Sequence, residues 1–155
     1  MEGRSTGSRP SSPATPPRAW SPGGRLLAFS NGDGVSISTP DGDEVHQLLF
    51  VPDGVAMTEL RWSPRGDAIA FASSRELGAL RPCVATSDGG VRRLVDCGGD
   101  FLSGRLRWSP DGAALLAPTS SCNGNKREMR VLDVAGLSED VVVPYLSHPD
   151  WVPPK

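Results

Sequence analysis

The segment Trp-Ser-Pro-x-Gly occurs three times in this chain, and that recurrence restricts the fold more than any other feature. Aligned without gaps, the copies read Trp20-Ser-Pro-Gly-Gly-Arg-Leu-Leu-Ala-Phe-Ser, Trp62-Ser-Pro-Arg-Gly-Asp-Ala-Ile-Ala-Phe-Ala and Trp108-Ser-Pro-Asp-Gly-Ala-Ala-Leu-Leu-Ala-Pro. A fourth, broken start follows at Pro149-Asp150-Trp151-Val152-Pro153. The four tryptophans stand 42, 46 and 43 residues apart. Self-similarity at a period in the forties means one supersecondary unit copied along the chain, and that length suits four short strands. Such a unit cannot bury its broad apolar flank alone, so the copies must stack on one another.

Each unit can be read strand by strand. In Ser-Pro-x-Gly, proline presets φ at the second turn position and glycine takes the position needing positive φ. A strand should therefore end at the tryptophan and another should begin just past the glycine. The approaches Glu59-Leu60-Arg61-Trp62 and Arg105-Leu106-Arg107-Trp108 alternate apolar and polar, as half-buried strands do. After the turns come the apolar runs Leu26 to Phe29, Ile69 to Phe71 and Leu115 to Leu116, suited to strands buried on both faces. Third strands are expected at Val35 to Thr39, Cys83 to Thr86 and Met129 to Val134, each closed by a turn signal at Asp41-Gly42, Asp88-Gly89-Gly90 or Ala135-Gly136. Fourth strands are expected at Val45 to Val51, Val91 to Val95 and Val141 to Val143. The third copy departs from the pattern at Leu116-Ala117-Pro118, where proline should end the strand or place it at an edge.

The expected class is thus all-β, a partial β-propeller of about three four-stranded antiparallel blades. The 18 glycines and 15 prolines among 155 residues agree with a chain of many turns. Residues 1–19, rich in Ser, Pro and Arg, read as a flexible leader. The units then run about 20–61, 62–107 and 108–150, with a stub at 151–155. Closed propellers typically need at least about four blades. Three blades and a stub would leave two apolar end faces, so the expected solutions are two chains pairing three plus three, a piece of a longer propeller, or an open arc.

The pattern Trp-Ser-Pro-Asp-Gly, an Ile-Ala-Phe-like strand and a later Asp-Gly-Gly followed by Arg-Leu resembles the TolB-type WD-like β-propeller repeat family. Residues Trp62 to Leu94, with Ser87-Asp88-Gly89-Gly90-Val91-Arg92-Arg93-Leu94, carry the best match, and the resemblance covers about Ala19 to Trp151. Related blades occur in the propeller domains of prolyl-oligopeptidase-type peptidases. The resemblance implies a platform that binds proteins, and it transfers no individual contact residue.

The residues offer little catalytic chemistry. His46 and His148 are the only histidines; His148 lies near Asp150, but no Gly-x-Ser-x-Gly elbow exists, and Gly136-Leu-Ser138-Glu-Asp140 fails at its last position. No phosphate loop or dinucleotide turn is present. Asn31, Asp33, Asp41 and Asp43 do not follow the spacing of a calcium loop and read as turn residues. Cys83, Cys97 and Cys122 form no Cys-x-x-Cys and read as small buried thiols, with the pairing of Cys83 and Cys97 left to strand register. No cofactor or metal is expected. The repeat markers Trp20, Pro22, Gly24, Trp62, Pro64, Gly66, Trp108, Pro110, Gly112 and Trp151 are read as structural, with the indoles filling equivalent positions between blades.

A net charge of −2 argues against nucleic acid held by bulk electrostatics, and the scattered arginines read as a solvated surface of mixed sign. No run approaches the roughly 20 apolar residues of a membrane helix. The chain as written is expected in the cytoplasm, with periplasmic relatives allowed by the resemblance. The expected function is a non-enzymatic module that binds a protein partner, with a homodimer completing the propeller as one form of partner. The alternatives are a propeller segment associated with a prolyl-oligopeptidase-type peptidase or other hydrolase, and a truncated structural repeat fragment.

Overall fold

The computed structural model describes residues 16–31, 33–51, 55–75, 80–86, 90–93, 101–102, 104–120, 126–135, 141–144 and 151. Every regular element among them is a strand, and no helix is long and apolar enough to cross a membrane. Residues 1–15 of the expected leader, Cys97, Cys122, His148 and Asp150 lie outside the described residues, whereas Arg18 and Ala19, assigned to the leader from sequence, belong to the first strand.

The first sheet joins β1 (Arg18–Trp20), β2 (Leu27–Ser30), β3 (Gly34–Ser38) and β4 (Val45–Phe50) in sequence order. The second joins β5 (Val55–Trp62), β6 (Ala68–Arg75), β7 (Arg81–Thr86) and β8 (Val91–Arg93) in the same way. The third contains β9 (Phe101–Leu102), β10 (Arg107–Trp108), β11 (Ala114–Ser120), β12 (Arg127–Asp133) and β13 (Val141–Pro144). Its main path is β10 to β13, and β9 also pairs with β11. The main path of each sheet is an antiparallel meander that begins with the strand ending on the repeat tryptophan, β1, β5 or β10. The sequence period and the sheet therefore share a length but not a phase, because the strand before each tryptophan pairs with the strand after its turn.

The turn chemistry explains that pairing. Ser21, Ser63 and Ser109 donate their N–H to the carbonyls of Leu26, Ala68 and Ala114, at 2.8, 2.8 and 2.9 Å. Their hydroxyl oxygens accept the N–H of the same three residues, at 3.0, 3.2 and 2.9 Å. Gly24, Gly66 and Gly112 have φ of 65°, 73° and 68°, a region where a side chain would be strained. Serine thus clamps both ends of the hairpin while glycine supplies its bend.

Strand alternation divides the core in two. On β6, Ile69 and Phe71 face the first sheet and cluster with Ala28, Val35, Leu49 and Leu60. Ala68, Ala70 and Ala72 face the other way and cluster with Leu106, Leu115, Ala117 and Leu132 of the third sheet. Small residues on one flank and large ones on the other let the sheets approach closely without voids.

Pro118 meets the second of the two sequence expectations, a local edge. β11 does not end there but runs through it, pairing Pro118 with Met129 of β12. The neighbour is interrupted instead: β10 pairs with Leu115 and Leu116, and β9 with Thr119 and Ser120. Among the described residues no ladder partner faces Pro118 on that side, which suits a residue without an N–H. Gly104 occupies the gap, where a Cβ would lie 3.0 Å from Pro118 Cγ.

Candidate functional site

The tryptophans form a ladder across the sheets. Trp62 Nε1 donates to the Ala19 carbonyl at 2.9 Å, Trp108 Nε1 to that of Arg61 at 3.0 Å, and Trp151 Nε1 to that of Arg107 at 3.3 Å. In every case the acceptor is the residue just before the preceding tryptophan. The turns stack in step. A Cβ on Gly66 would rest 3.7 Å from Pro22 Cδ, and one on Gly112 would rest 3.5 Å from Pro64 Cδ. Trp62, Trp108 and Trp151, with the turn pairs Pro22–Gly66 and Pro64–Gly112, therefore line up in one spine, while Trp20 makes no such bond among the described residues and a Cβ on Gly24 would meet nothing within 4 Å.

An open groove of about 410 Å³ lies along this spine between the second and third sheets, lined by Arg61, Trp62, Arg105, Leu106, Arg107 and Trp108. Arg61, Arg105 and Arg107 are exposed, the two indoles are half-buried, and Leu106 closes the floor. Glu59 sets the groove's shape. The β5–β6 register shifts between Thr58 and Arg61, and Glu59 sits in the bulge with φ 64°. A non-glycine residue there carries strain that surrounding contacts must hold. Its carboxylate supplies one, accepting the Leu106 N–H at 3.2 Å, and it lies 3.9 Å from Arg105 Nε. Three of the six lining residues carry guanidinium groups, on a chain whose net charge is −2.

Sequence reasoning treated these arginines as scattered. Arg61 and Arg107 occupy the same position in successive repeats, so stacking the sheets brings them together from 46 residues apart. Superposing the repeats position by position is the signal that could have found the groove.

Other candidate residues stay apart. His46 lies exposed on β4, opposite Ile37. Asp41 accepts the Asp43 N–H at 3.4 Å, and the Thr39 hydroxyl, followed by that N–H, holds its carboxyl below the usual aspartate range. Asn31 likewise accepts the Asp33 N–H at 3.2 Å. These are turn contacts, and among the described residues no three of His, Cys, Asp and Glu gather as metal ligands. Cys83 is a free, buried thiol beside the Ser73 hydroxyl at 3.4 Å.

Asp111 is held within its own turn. Its carboxylate accepts the Ser109 hydroxyl at 2.6 Å and the Ala113 N–H at 3.0 Å. These bonds, with Arg65 of the preceding turn adding attraction, hold the Asp111 carboxyl below its usual range.

No family model matches the chain. An uncharacterised peptidase, YuxL, of Bacillus subtilis strain 168 is 34% identical over 92 residues, which is 59% of this chain and 14% of that protein. Among solved structures, dipeptidyl peptidase 4 of Porphyromonas gingivalis superposes with a TM-score of 0.66 at 14% identity, over 81% of this chain and 24% of that one. TolB from Acinetobacter baumannii gives 0.60 at 17% identity, over 83% and 32%. A TolB from Agrobacterium tumefaciens gives 0.61 at 18% identity, over 85% and 50%. The chain spans half or less of each of these proteins. Its fold is that of a TolB-type β-propeller segment.

Proposed function

We propose that the chain is a non-enzymatic propeller module that holds a protein partner, and that the groove between the second and third sheets receives an acidic segment of it. The observation that carries this reading is the convergence of Arg61, Arg105 and Arg107 between Trp62 and Trp108. Guanidinium groups engage carboxylates with two parallel hydrogen bonds, and flanking indoles add flat apolar area. Arg61, Arg105 and Arg107 are all exposed where a ligand can reach them, with Glu59 beside Arg105. The test is a calorimetric titration with a Glu-rich decapeptide and with its Gln counterpart. The Glu peptide should bind, weaken as salt rises, and lose about tenfold or more in affinity in the Arg61→Gln, Arg107→Gln double variant. Equal binding of the two peptides, or no effect of the double substitution, overturns the assignment.

The likeness to YuxL over 92 residues favours a second reading, in which the chain is the propeller segment of a peptidase. On that reading hydrolysis belongs to chain beyond this span. Hydrolysis of peptides by this chain alone, lost on His148→Ala, would contradict the non-enzymatic assignment.

A further inference from the structure

Glu59 and Arg105 hold the same place in successive repeats, three residues before Trp62 and Trp108. Both strands are irregular just past it. In the second sheet the paired register passes from Thr58 to Arg61, so Glu59 and Leu60 lie in a bulge. In the third, β10 pairs with β11 from Arg107 onward, so Leu106 stands outside the paired register. Leu106 therefore brings a backbone N–H to the groove between two exposed arginines, Arg105 and Arg107. A backbone N–H flanked by guanidinium groups is a seat for a carboxylate.

That seat is taken from within. Glu59 Oε2 accepts the Leu106 N–H at 3.2 Å, and Glu59 Oε1 lies 3.9 Å from Arg105 Nε. Three observations mark Glu59 as an occupant that can be displaced. Charge-assisted N–H···O contacts usually lie near about 2.7–2.9 Å, so both of its contacts are long. Its side chain is 23% exposed while Leu106 is 1% exposed, so the carboxylate meets water and the donor beneath it does not. Finally, Glu59 reaches this position with φ 64°, which a side chain holds only under strain.

We propose that Glu59 is the groove's internal stand-in for a ligand carboxylate, and that an acidic segment binds by displacing it from the Leu106 N–H. In the exchange a ligand oxygen takes the N–H, the Glu59 carboxylate turns to water, and the bulge is freed from the contact that keeps it strained. The same exchange sets specificity. An uncharged acceptor competes poorly with a carboxylate for a donor beside guanidinium groups, so Glu59 stays in place against it. This inference deepens the groove assignment and rests on it.

The experiment titrates the full chain, Glu59→Gln and Glu59→Gly with the Glu-rich decapeptide and its Gln counterpart. Glu59→Gln keeps an acceptor for Leu106 and removes only the charge, while Glu59→Gly removes the occupant and suits the positive φ. Both should bind the Glu peptide about threefold or more tighter than wild type, the scale of one exposed charge pair. The gain should shrink as salt rises, and affinity for the Gln peptide should not change. Hydrogen exchange at the Leu106 amide reads the seat itself: it should quicken in Glu59→Gly and slow again when the Glu peptide saturates the groove. A merely structural glutamate would lower stability on substitution without tightening the peptide. Circular dichroism checks the fold, and were Glu59→Gly to lose its strand signal, Glu59→Gln would decide. Wild-type binding with no gain in the variants, or a Leu106 amide indifferent to bound peptide, overturns this inference and leaves the groove assignment standing. Absence of binding by all three proteins overturns both.

Discussion

Replacing Trp62 by phenylalanine tests the ladder directly. The substitution keeps an aromatic ring against Leu60, Ile69 and the other residues of that core, but removes the N–H that reaches the Ala19 carbonyl at 2.9 Å. A net intramolecular hydrogen bond is worth about 0.5–1.5 kcal/mol, and a carbonyl left without its partner lies toward the upper end. Shrinking a half-buried indole to phenyl removes about three heavy atoms, worth on the order of 1 kcal/mol in lost burial and packing. The expected loss is about 2 kcal/mol, which for a chain of this size shifts the melting midpoint down by about 4–8 °C. Trp20→Phe is the internal control. Its indole makes no ladder bond and is 53% exposed, so the same chemical change should stay within about 0.5 kcal/mol. Far-UV circular dichroism during denaturant and thermal unfolding provides the readout. If both substitutions cost the same, or if Trp62→Phe costs less than about 0.5 kcal/mol, the indoles are not what couples the sheets.

Two further outcomes follow from local geometry. Gly34 has φ 150°, and a Cβ there would lie 2.0 Å from the Leu49 carbonyl oxygen, so Gly34→Ala should cost more than about 2 kcal/mol and lower the unfolding midpoint measurably in urea. The Asp111 carboxyl is held below its usual value by the Ser109 hydroxyl, the Ala113 N–H and Arg65, so its contribution is present in full above the ordinary aspartate pKa of 3.8 and is lost as pH falls through the lower folded value; Asp111→Asn should flatten that acid limb in a series of unfolding curves.

Much of this fold was legible because the repeat encodes it locally. Ser-Pro-x-Gly states a turn in its own chemistry, and the strands on either side of Trp62 and Trp108 follow from it. The alternation of Ala68, Ala70 and Ala72 with Ile69 and Phe71 gives β6 two buried faces, which only a strand between two sheets requires. For Pro118 the sequence leaves open whether the strand ends or meets an edge, because the choice depends on a gap in the neighbouring strand, a non-local fact held by Gly104 and the split between β9 and β10. The Glu59 bulge was also hidden, since glutamate carries no preference for positive φ, and its reward is a bond to Leu106 on another sheet. The groove was missed for a related reason: Arg61 and Arg107 look dispersed until the period is folded out of the sequence.

The ladder also explains how one position can serve both fold and recognition. Arg61 holds the third sheet through its backbone carbonyl, which accepts from Trp108, and Arg107 holds the stub through the same atom, which accepts from Trp151. A backbone acceptor is indifferent to its side chain, so the structural role leaves the side chain at that position free to vary. It is alanine at position 19, where the same carbonyl bond forms at 2.9 Å, and arginine at 61 and 107. The stacking requirement alone therefore does not call for arginine, and the exposure of both guanidinium groups puts their charge where a ligand can meet it. Arg61→Gln should leave the unfolding curve within about 0.5 kcal/mol of wild type while weakening the acidic peptide. A loss of stability as large as that of Trp62→Phe would mean the side chain is part of the scaffold, and the groove would then be a by-product of stacking.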